Sequence, residues 1–185
     1  MITKSVNLDR DTVRSYLISK VLPAIVQKWP SNDRARTIWI QQDNASSHVP
    51  PNDSQFQTVV AQTGLDIKIM YQPSNSPDMN VLDLGYFASL QSLTHRRAGR
   101  NIDELIQNVE TEYEDYNPNT LRRVFLTLQS CMIEVMKERG GNRYKVPHMN
   151  KDRLEAMNML PKTLECPREV YELVLQTLNN QGQPN

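Results

Sequence analysis

Two aspartates, Asp43 and Asp83, occupy positions in the sequence that suit the binding of a divalent metal ion. Asp43 follows the apolar run Ile38 to Ile40, which predicts a buried strand that ends at Gln41-Gln42-Asp43. Asp83 comes three residues after Asn80, which favours the N-terminal cap of a helix, so it falls in the first turn of that helix. Carboxylate oxygens are the ligands that Mg²⁺ prefers. We therefore expect the two carboxylates to approach each other and to share a cation.

The segments around these aspartates resemble the catalytic core of mariner-like transposases. The first segment reads QQDNASSH (Gln41 to His48), and the second reads QPSNSPDMNVLDLGYF (Gln72 to Phe87). Between Asp43 and Asp83 lie 39 residues, the spacing of the plant-type branch of that family. Agreement in both wording and spacing is far more specific than a single short motif.

The resemblance implies an RNase H-like fold in which three acidic residues surround two Mg²⁺ ions. It assigns the second acidic residue to Asp43 and the third to Asp83, so both are expected to be catalytic residues and ligands of Mg²⁺ or Mn²⁺. The implied reaction is cut-and-paste transposition, with metal-dependent cleavage and transfer of DNA strands. A protein with this activity would act in the nucleus.

The first acidic residue of the family pattern has no clear counterpart here. In the family it lies on the first strand of the fold, whereas the 42 residues before Asp43 contain no aspartate within an apolar strand. Asp9 and Asp11 lie in the polar start of a predicted helix, and Asp33 lies in a turn. We therefore expect an incomplete triad, weak metal binding and no DNA cleavage by this chain alone. Whether Met1 is the true start or an internal methionine of a longer reading frame would bear directly on this expectation.

The hydrophobic pattern predicts an α/β chain with a small parallel sheet. Residues 66–71 alternate like a strand, and a helix that ends at Gly64 connects them to the strand at residues 37–41, so the two strands should pair in parallel. The resemblance implies that this is a truncated RNase H-like fold, which retains about two parallel strands. Such a sheet has an open edge, and self-association through residues 37–42 is expected there.

Helices account for most of the remaining chain. Residues 9–29 carry apolar side chains at helical spacing, with Asp9 as the cap and Pro23 as the site of a kink. Further helices are predicted to begin near Asn80, Asn101, Pro118 and Pro167, and the last of them to end at Leu178, before a disordered end at residues 179–185. The helix after Pro118 carries a long apolar stripe that favours a core position: Leu121, Val124, Phe125, Leu128, Met132, Val135 and Met136. We expect residues 1–150 to form the partial catalytic domain, which lacks the first three strands, and residues 151–185 to form a helical tail with a disordered end.

Candidate DNA-binding residues lie in two basic segments of the C-terminal half. The predicted set is Arg96, Arg97, Arg100, Arg143 and Lys145. These side chains either contact DNA phosphates or belong to solvated loops, with a favourable charge at a helix C-terminus for the first segment. His48 has two interpretations as well, because it either orients substrate or water at the metal site or bonds to nearby backbone.

Composition limits the partners of this chain. The 185 residues carry 21 basic and 21 acidic side chains, so no net positive field attracts DNA and any DNA binding should be weak and non-specific. No apolar run is long enough to span a bilayer, and the two cysteines, far apart in sequence, favour a reducing intracellular compartment. A different function is a non-catalytic module that binds nucleic acid or protein through the open sheet edge or the basic loops.

Overall fold

The computed structural model describes residues 4–97 and 99–181. It shows a mixed α/β fold that is mostly helical and contains a small two-stranded parallel sheet. The predicted α/β class with its parallel pair of strands is thereby confirmed. Contacts divide the chain into two compact units, Met1–Asn75 and Ser76–Asn185, and each is described here by itself. The predicted domain boundary at residue 150 stays a prediction.

The first unit begins with a helical segment that changes its winding in the middle. Helix α1 spans Arg10–Tyr16, a π-helical turn spans Leu17–Val21, and helix α2 spans Leu22–Lys28. The Asp9 carboxylate accepts a hydrogen bond of 2.9 Å from the Thr12 amide, which is the predicted cap. Pro23 lies in the first turn of α2, shortly after the π-helical turn. The predicted kink at Pro23 stays a prediction.

Strand β1 (Ile38–Gln42) and strand β2 (Ile67–Tyr71) form the parallel sheet of this unit. Ile38 lies opposite Ile67 in the ladder, and the register continues to the strand ends. Helix α3 (Ser54–Thr63) makes the crossover between the strands, and Gly64 ends it with φ of +69°, a left-handed conformation that glycine adopts without strain.

Only one face of this sheet is buried. The core of the first unit contains Leu17, Leu22, Ile38, Val49, Phe56, Ile67 and Ile69. On the opposite face the Trp39 side chain is 55% exposed, and the Lys68 ammonium lies 5.7 Å from the centroid of its ring. Parallel sheets are normally covered on both faces, so this sheet presents an uncovered surface.

An ion pair between Arg14 and Asp53 joins helix α1 to helix α3. The Arg14 Nε donates to Asp53 Oδ2 at 3.0 Å, and both side chains are largely buried, at 16% and 10% exposure. Asp53 also accepts from the Phe56 amide at 2.9 Å and so caps α3. Burial alone would raise the pKa of Asp53, but the Arg14 guanidinium and the Phe56 amide outweigh burial and hold that pKa below its ordinary value.

The second unit is helical in all of its described regular structure, apart from short turns. Its helices are α4 (Phe87–His95), α5 (Ile102–Glu114), α6 (Pro118–Lys137), α7 (Lys151–Ala156) and α8 (Arg168–Gln181). The predicted starts at Asn101 and Pro118 are confirmed, and the Asn101 side chain accepts from the Glu104 amide. Helix α8 extends three residues past its predicted end at Leu178. The rest of the predicted disordered end, residues 182–185, lies outside the described residues.

Helix α6 is buried along a different line from the one its apolar stripe predicts. The fully or nearly fully buried residues are Leu126, Ser130 and Cys131, whereas Phe125 and Met132 of the predicted stripe are exposed. The small side chains of Ser130 and Cys131 permit close packing, and the Ser130 hydroxyl donates to the Thr127 carbonyl. Hydrophobicity indicated the helix correctly, but neighbouring segments determine which side of it is covered.

We expect Asp53→Asn to lower the free energy of unfolding of the first unit by about 1.5–3 kcal/mol at neutral pH, because asparagine keeps the cap but loses the charge that bonds Arg14. The lowered pKa of Asp53 fixes the sign of the pH dependence. Its stabilisation is complete above the pKa of an unfolded aspartate and is lost as the pH falls through the folded-state value. The unfolding free energies of the two proteins in urea should therefore begin to converge as the pH falls below about 4. A difference in the free energy of unfolding that stays constant across pH would show that the Asp53 charge is not its cause.

Candidate functional site: two carboxylates and the loops that hold them

Asp43 lies immediately after β1, at the carboxyl end of the strand. Its side chain is 52% exposed. The Oδ1 atom accepts a hydrogen bond of 2.8 Å from the Ala45 amide and lies 2.9 Å from His48 Nδ1. His48 Nδ1 also lies 2.9 Å from the Asp43 carbonyl oxygen. The loop thus orients a solvent-accessible carboxylate through its own backbone and one histidine.

His48 bonds to nearby backbone, which is one of the two roles that the sequence predicted for it. The same nitrogen also contacts the Asp43 carboxylate, so the histidine orients that side chain. A ligand carboxylate in a metal site is commonly held in this way by a hydrogen-bonding neighbour. Its geometry makes His48 a positioning residue for Asp43.

The other polar residues of the QQDNASSH segment hold the loop in place. Gln42 Nε2 donates to the Val49 carbonyl at 2.8 Å in a buried position, and Asn44 Nδ2 donates to the Gln72 carbonyl at 3.0 Å, just beyond β2. From helix α1, Arg10 donates to the carbonyl oxygens of Ser46 and His48. No sequence pattern indicated this role for Arg10, because it lies 36 positions from Ser46.

Asp83 lies in the second unit, in the first turn of the helical segment that leads into α4, as predicted. This turn is a π-helical one, Leu82–Tyr86. Asn80 caps the segment by accepting from the Leu82 amide at 3.1 Å, and its amide group donates to Asp83 Oδ2 at 2.8 Å. Asp83 is exposed. One asparagine therefore both starts the helix and orients the carboxylate.

Packing against α6 fixes the position of this turn. Gly85 lies so close to Val124 that a Cβ atom on Gly85 would stand 3.3 Å from a Val124 methyl carbon. The helical interior ordinarily disfavours glycine, and here its missing side chain permits the close approach. Just upstream, the Tyr144 hydroxyl bonds to the Asp78 carboxylate in the short turn Pro77–Met79.

This Tyr144 contact bears on two of the predicted DNA-binding residues. Arg143 and Lys145 flank Tyr144 in the sequence, and both are exposed. Because Tyr144 is bonded to Asp78, the segment that carries these two cations is fixed beside the turn that precedes Asp83. A bond between residues 66 positions apart gives no periodic signal, so the sequence did not reveal it.

The three arginines of the first basic segment, Arg96, Arg97 and Arg100, differ in their surroundings. Arg97 forms an ion pair with Glu112 of α5, and the Arg97 carbonyl accepts from Asn108. Arg96 and Arg100 have exposed side chains. An engaged arginine must exchange its carboxylate partner before it can bind a phosphate, so Arg96 and Arg100 are better placed for DNA contact than Arg97. The assignment of all three residues to DNA binding stays a prediction.

Two acidic residues outside the predicted pair, Asp33 and Glu134, have local partners. Asp33 lies in a short helical turn, 3.6 Å from Arg36, and Glu134 pairs with Lys137 on the same face of α6 at 2.7 Å. Within residues 4–97 and 99–181, no group of three or more His, Cys, Asp or Glu side chains is arranged to hold a metal ion. No described helix is long and apolar enough to cross a membrane.

Comparisons with known proteins yield no relative for this chain. No protein-family model matches it, and neither the curated proteins nor the solved structures contain a significantly similar chain. The transposase assignment therefore depends on the two motif segments and their spacing.

We expect Tyr144→Phe to lower the free energy of unfolding of the second unit by about 1–3 kcal/mol, because it leaves the half-buried Asp78 carboxylate without its donor. Amide hydrogen exchange should accelerate in residues 142–149 before the helices unfold. Tyr171→Phe is the matched control, since Tyr171 is exposed and offers a hydroxyl of the same chemistry. Equal effects of the two substitutions would show that the Asp78 bond contributes nothing.

Proposed function

We propose that this chain is part of the catalytic domain of a mariner-like DNA transposase, with an RNase H-like fold. Asp43 and Asp83 are its second and third acidic residues and hold Mg²⁺ or Mn²⁺. The observation that carries the proposal is the loop after β1, in which Gln42, Asn44 and His48 of the motif each bond so that an exposed carboxylate stands at the carboxyl end of a parallel strand. Ligand sites in α/β sheets lie at that end of the strands.

Both aspartates have the chemistry and the support that a divalent metal ion requires. Each carboxylate accepts a hydrogen bond from a nearby donor, the Ala45 amide for Asp43 and the Asn80 side chain for Asp83, and each is solvent-accessible. Such bonds orient ligand oxygens and reduce the cost of ordering them when an ion binds. The donor set is oxygen alone, which favours Mg²⁺ or Mn²⁺ over the softer metals.

In the proposed reaction the protein positions DNA and the metal ligands. When bound, the metal ions supply the charge that activates water or a 3′-hydroxyl group and stabilises the leaving oxygen. Arg143 and Lys145 neutralise phosphates next to the turn that bears Asp83, and Arg96 and Arg100 extend the basic surface. His48 and Asn80 hold the two carboxylates in fixed orientations. With two of the three acids in this sequence, the chain alone binds metal weakly and leaves DNA uncut.

Mn²⁺ titration monitored by amide NMR tests the assignment. We expect paramagnetic broadening at Ala45 and at Leu82, with loss of both effects in Asp43→Asn and in Asp83→Asn. Asp33→Asn and Glu134→Gln serve as controls that should change neither. Broadening at a single segment, or broadening that survives both site substitutions, would sink the proposed metal site.

The same protein, with Mn²⁺ and supercoiled plasmid, should show only the background nicking of Asp43→Ala. Nicking by the native chain that disappears in Asp43→Ala would contradict the expected inactivity and would point to another acid in the place of the first acidic residue. Asp33→Asn and Glu134→Gln would then identify it.

A second candidate function is a non-catalytic interaction module, and the uncovered face of the sheet favours it. Trp39 is exposed there, and β1 and β2 each have one strand neighbour within the part of the chain that the structure describes. Outer strand edges offer backbone groups to another strand. In this case the chain associates with itself or with a partner strand through residues 37–42.

Sedimentation equilibrium tests that association. We expect concentration-dependent self-association that weakens in Trp39→Lys, because a charge on the strand opposes edge pairing. Gln62→Lys adds the same charge at an exposed position of α3 and should leave association unchanged. A compact monomer at all concentrations would exclude self-association through the sheet edge.

A further inference from the structure

Helix α5 has an apolar face that is not buried. Its five apolar side chains recur three or four residues apart, the spacing of one helix face. They are Ile102, Leu105, Ile106, Val109 and Tyr113, and each is between 38% and 66% exposed. The helix contains no buried residue at all. Amphipathic helices gain most of their stability by packing such a face against other parts of the protein. Helix α5 has the apolar residues of a packed helix, but these side chains remain partly exposed to solvent.

The apolar face continues into a groove between α4 and α5. The groove has a volume of about 630 Å³, and its apolar lining includes Phe87, Leu90, Leu105 and Val109. Phe87, on the α4 side, is itself 51% exposed. The Arg97–Glu112 ion pair joins the two sides of the groove. A groove of this kind accepts the apolar anchors of a helix laid along it.

Charge distinguishes between the possible occupants. All ionisable side chains of α5 other than Tyr113 are acidic: Asp103, Glu104, Glu110, Glu112 and Glu114. Glu112 is neutralised by Arg97, and Glu104 accepts a hydrogen bond from the Arg100 amide. Glu110 and Glu114 are exposed, and they lie one turn apart beside Ile106 and Tyr113. The open flank of the apolar face is therefore negative.

We propose that the α4–α5 groove and the apolar face of α5 bind a basic amphipathic helix of another protein. Lysine or arginine side chains of that helix would lie against Glu110 and Glu114, while its apolar face fills the groove. DNA is disfavoured along the open flank, because its phosphates would meet Glu110 and Glu114, although His95 and Arg97 line the other end of the groove. A second copy of α5 is disfavoured too, since pairing would bring two acidic flanks together. This inference does not depend on metal binding or on DNA cleavage.

A pair of peptides tests the charge preference. Each has about 14 residues, enough to match the length of α5, with leucines at helical spacing. One peptide carries lysines beside the leucines and the other carries glutamates at the same positions. Fluorescence anisotropy with the full chain should show the lysine peptide binding roughly three- to tenfold more tightly, the range that one or two exposed ion pairs give. The preference should shrink as salt is raised.

Charge reversal at Glu110 and Glu114 distinguishes binding at α5 from non-specific electrostatic attraction of the peptide to the protein. Glu110→Lys/Glu114→Lys should invert the preference in favour of the glutamate peptide, an outcome that misfolding cannot produce. Glu138→Lys/Glu165→Lys changes net charge equally at exposed positions outside α5 and should keep the original preference. Ile106→Gln should weaken both peptides.

Three results would overturn the proposal. The first is equal binding of the two peptides, and the second is a preference that the reversal leaves unchanged. The third is self-association of the chain, in sedimentation, that Ile106→Gln abolishes, because that result would identify a second copy as the occupant.

Discussion

The parallel ladder between β1 and β2 is the constraint that places the functional loop of the first unit. At its carboxyl end the Gln72 amide donates to the Gln42 carbonyl at 2.7 Å, and the Asn44 side chain bonds back to Gln72. Chain direction is thereby fixed on both sides of Asp43. The buried Gln42 side chain then ties the far end of the loop at Val49. A loop held at both ends by hydrogen bonds can present a carboxylate in one orientation without burying it.

In the second unit, different interactions determine the position of Asp83. No strand precedes this residue in the unit, and its position instead follows from the approach of the Leu82–Tyr86 turn to helix α6. Gly85 permits that approach, and Asn80 fixes the carboxylate from the preceding turn. The Tyr144–Asp78 bond adds a cationic segment beside the same turn. Packing and capping together do here what the ladder does in the first unit.

A net charge of zero conceals two surfaces of opposite sign in the second unit. Arg143 and Lys145 stand beside the turn that bears Asp83, whereas α5 carries only acidic charges next to its uncovered apolar face. Phosphates and basic peptides are attracted to different surfaces for this reason. A proposed role in DNA chemistry and a proposed protein partner are therefore compatible on one unit of the chain.

The sequence by itself determined the local features of this protein, because those depend on neighbouring residues. Asp9 and Asn101 cap helices, Gly64 ends one, and the alternating strand at 66–71 pairs in parallel with β1. Asn80 and Asp83 also occupy the predicted helix start. Caps, turns and hydrophobic periodicity involve residues a few positions apart, so these features can be predicted directly from the sequence.

Only the tertiary structure decided the contacts between distant residues and the direction in which each helix faces. Arg14 meets Asp53 and Tyr144 meets Asp78 across 39 and 66 positions, and neither pair has a sequence pattern. Helix α6 buries Cys131 and exposes Phe125, and the apolar side chains of α5 remain 38–66% exposed. Periodicity states which side chains favour burial, but burial needs a neighbour. Whether a neighbour is present depends on how the rest of the chain packs.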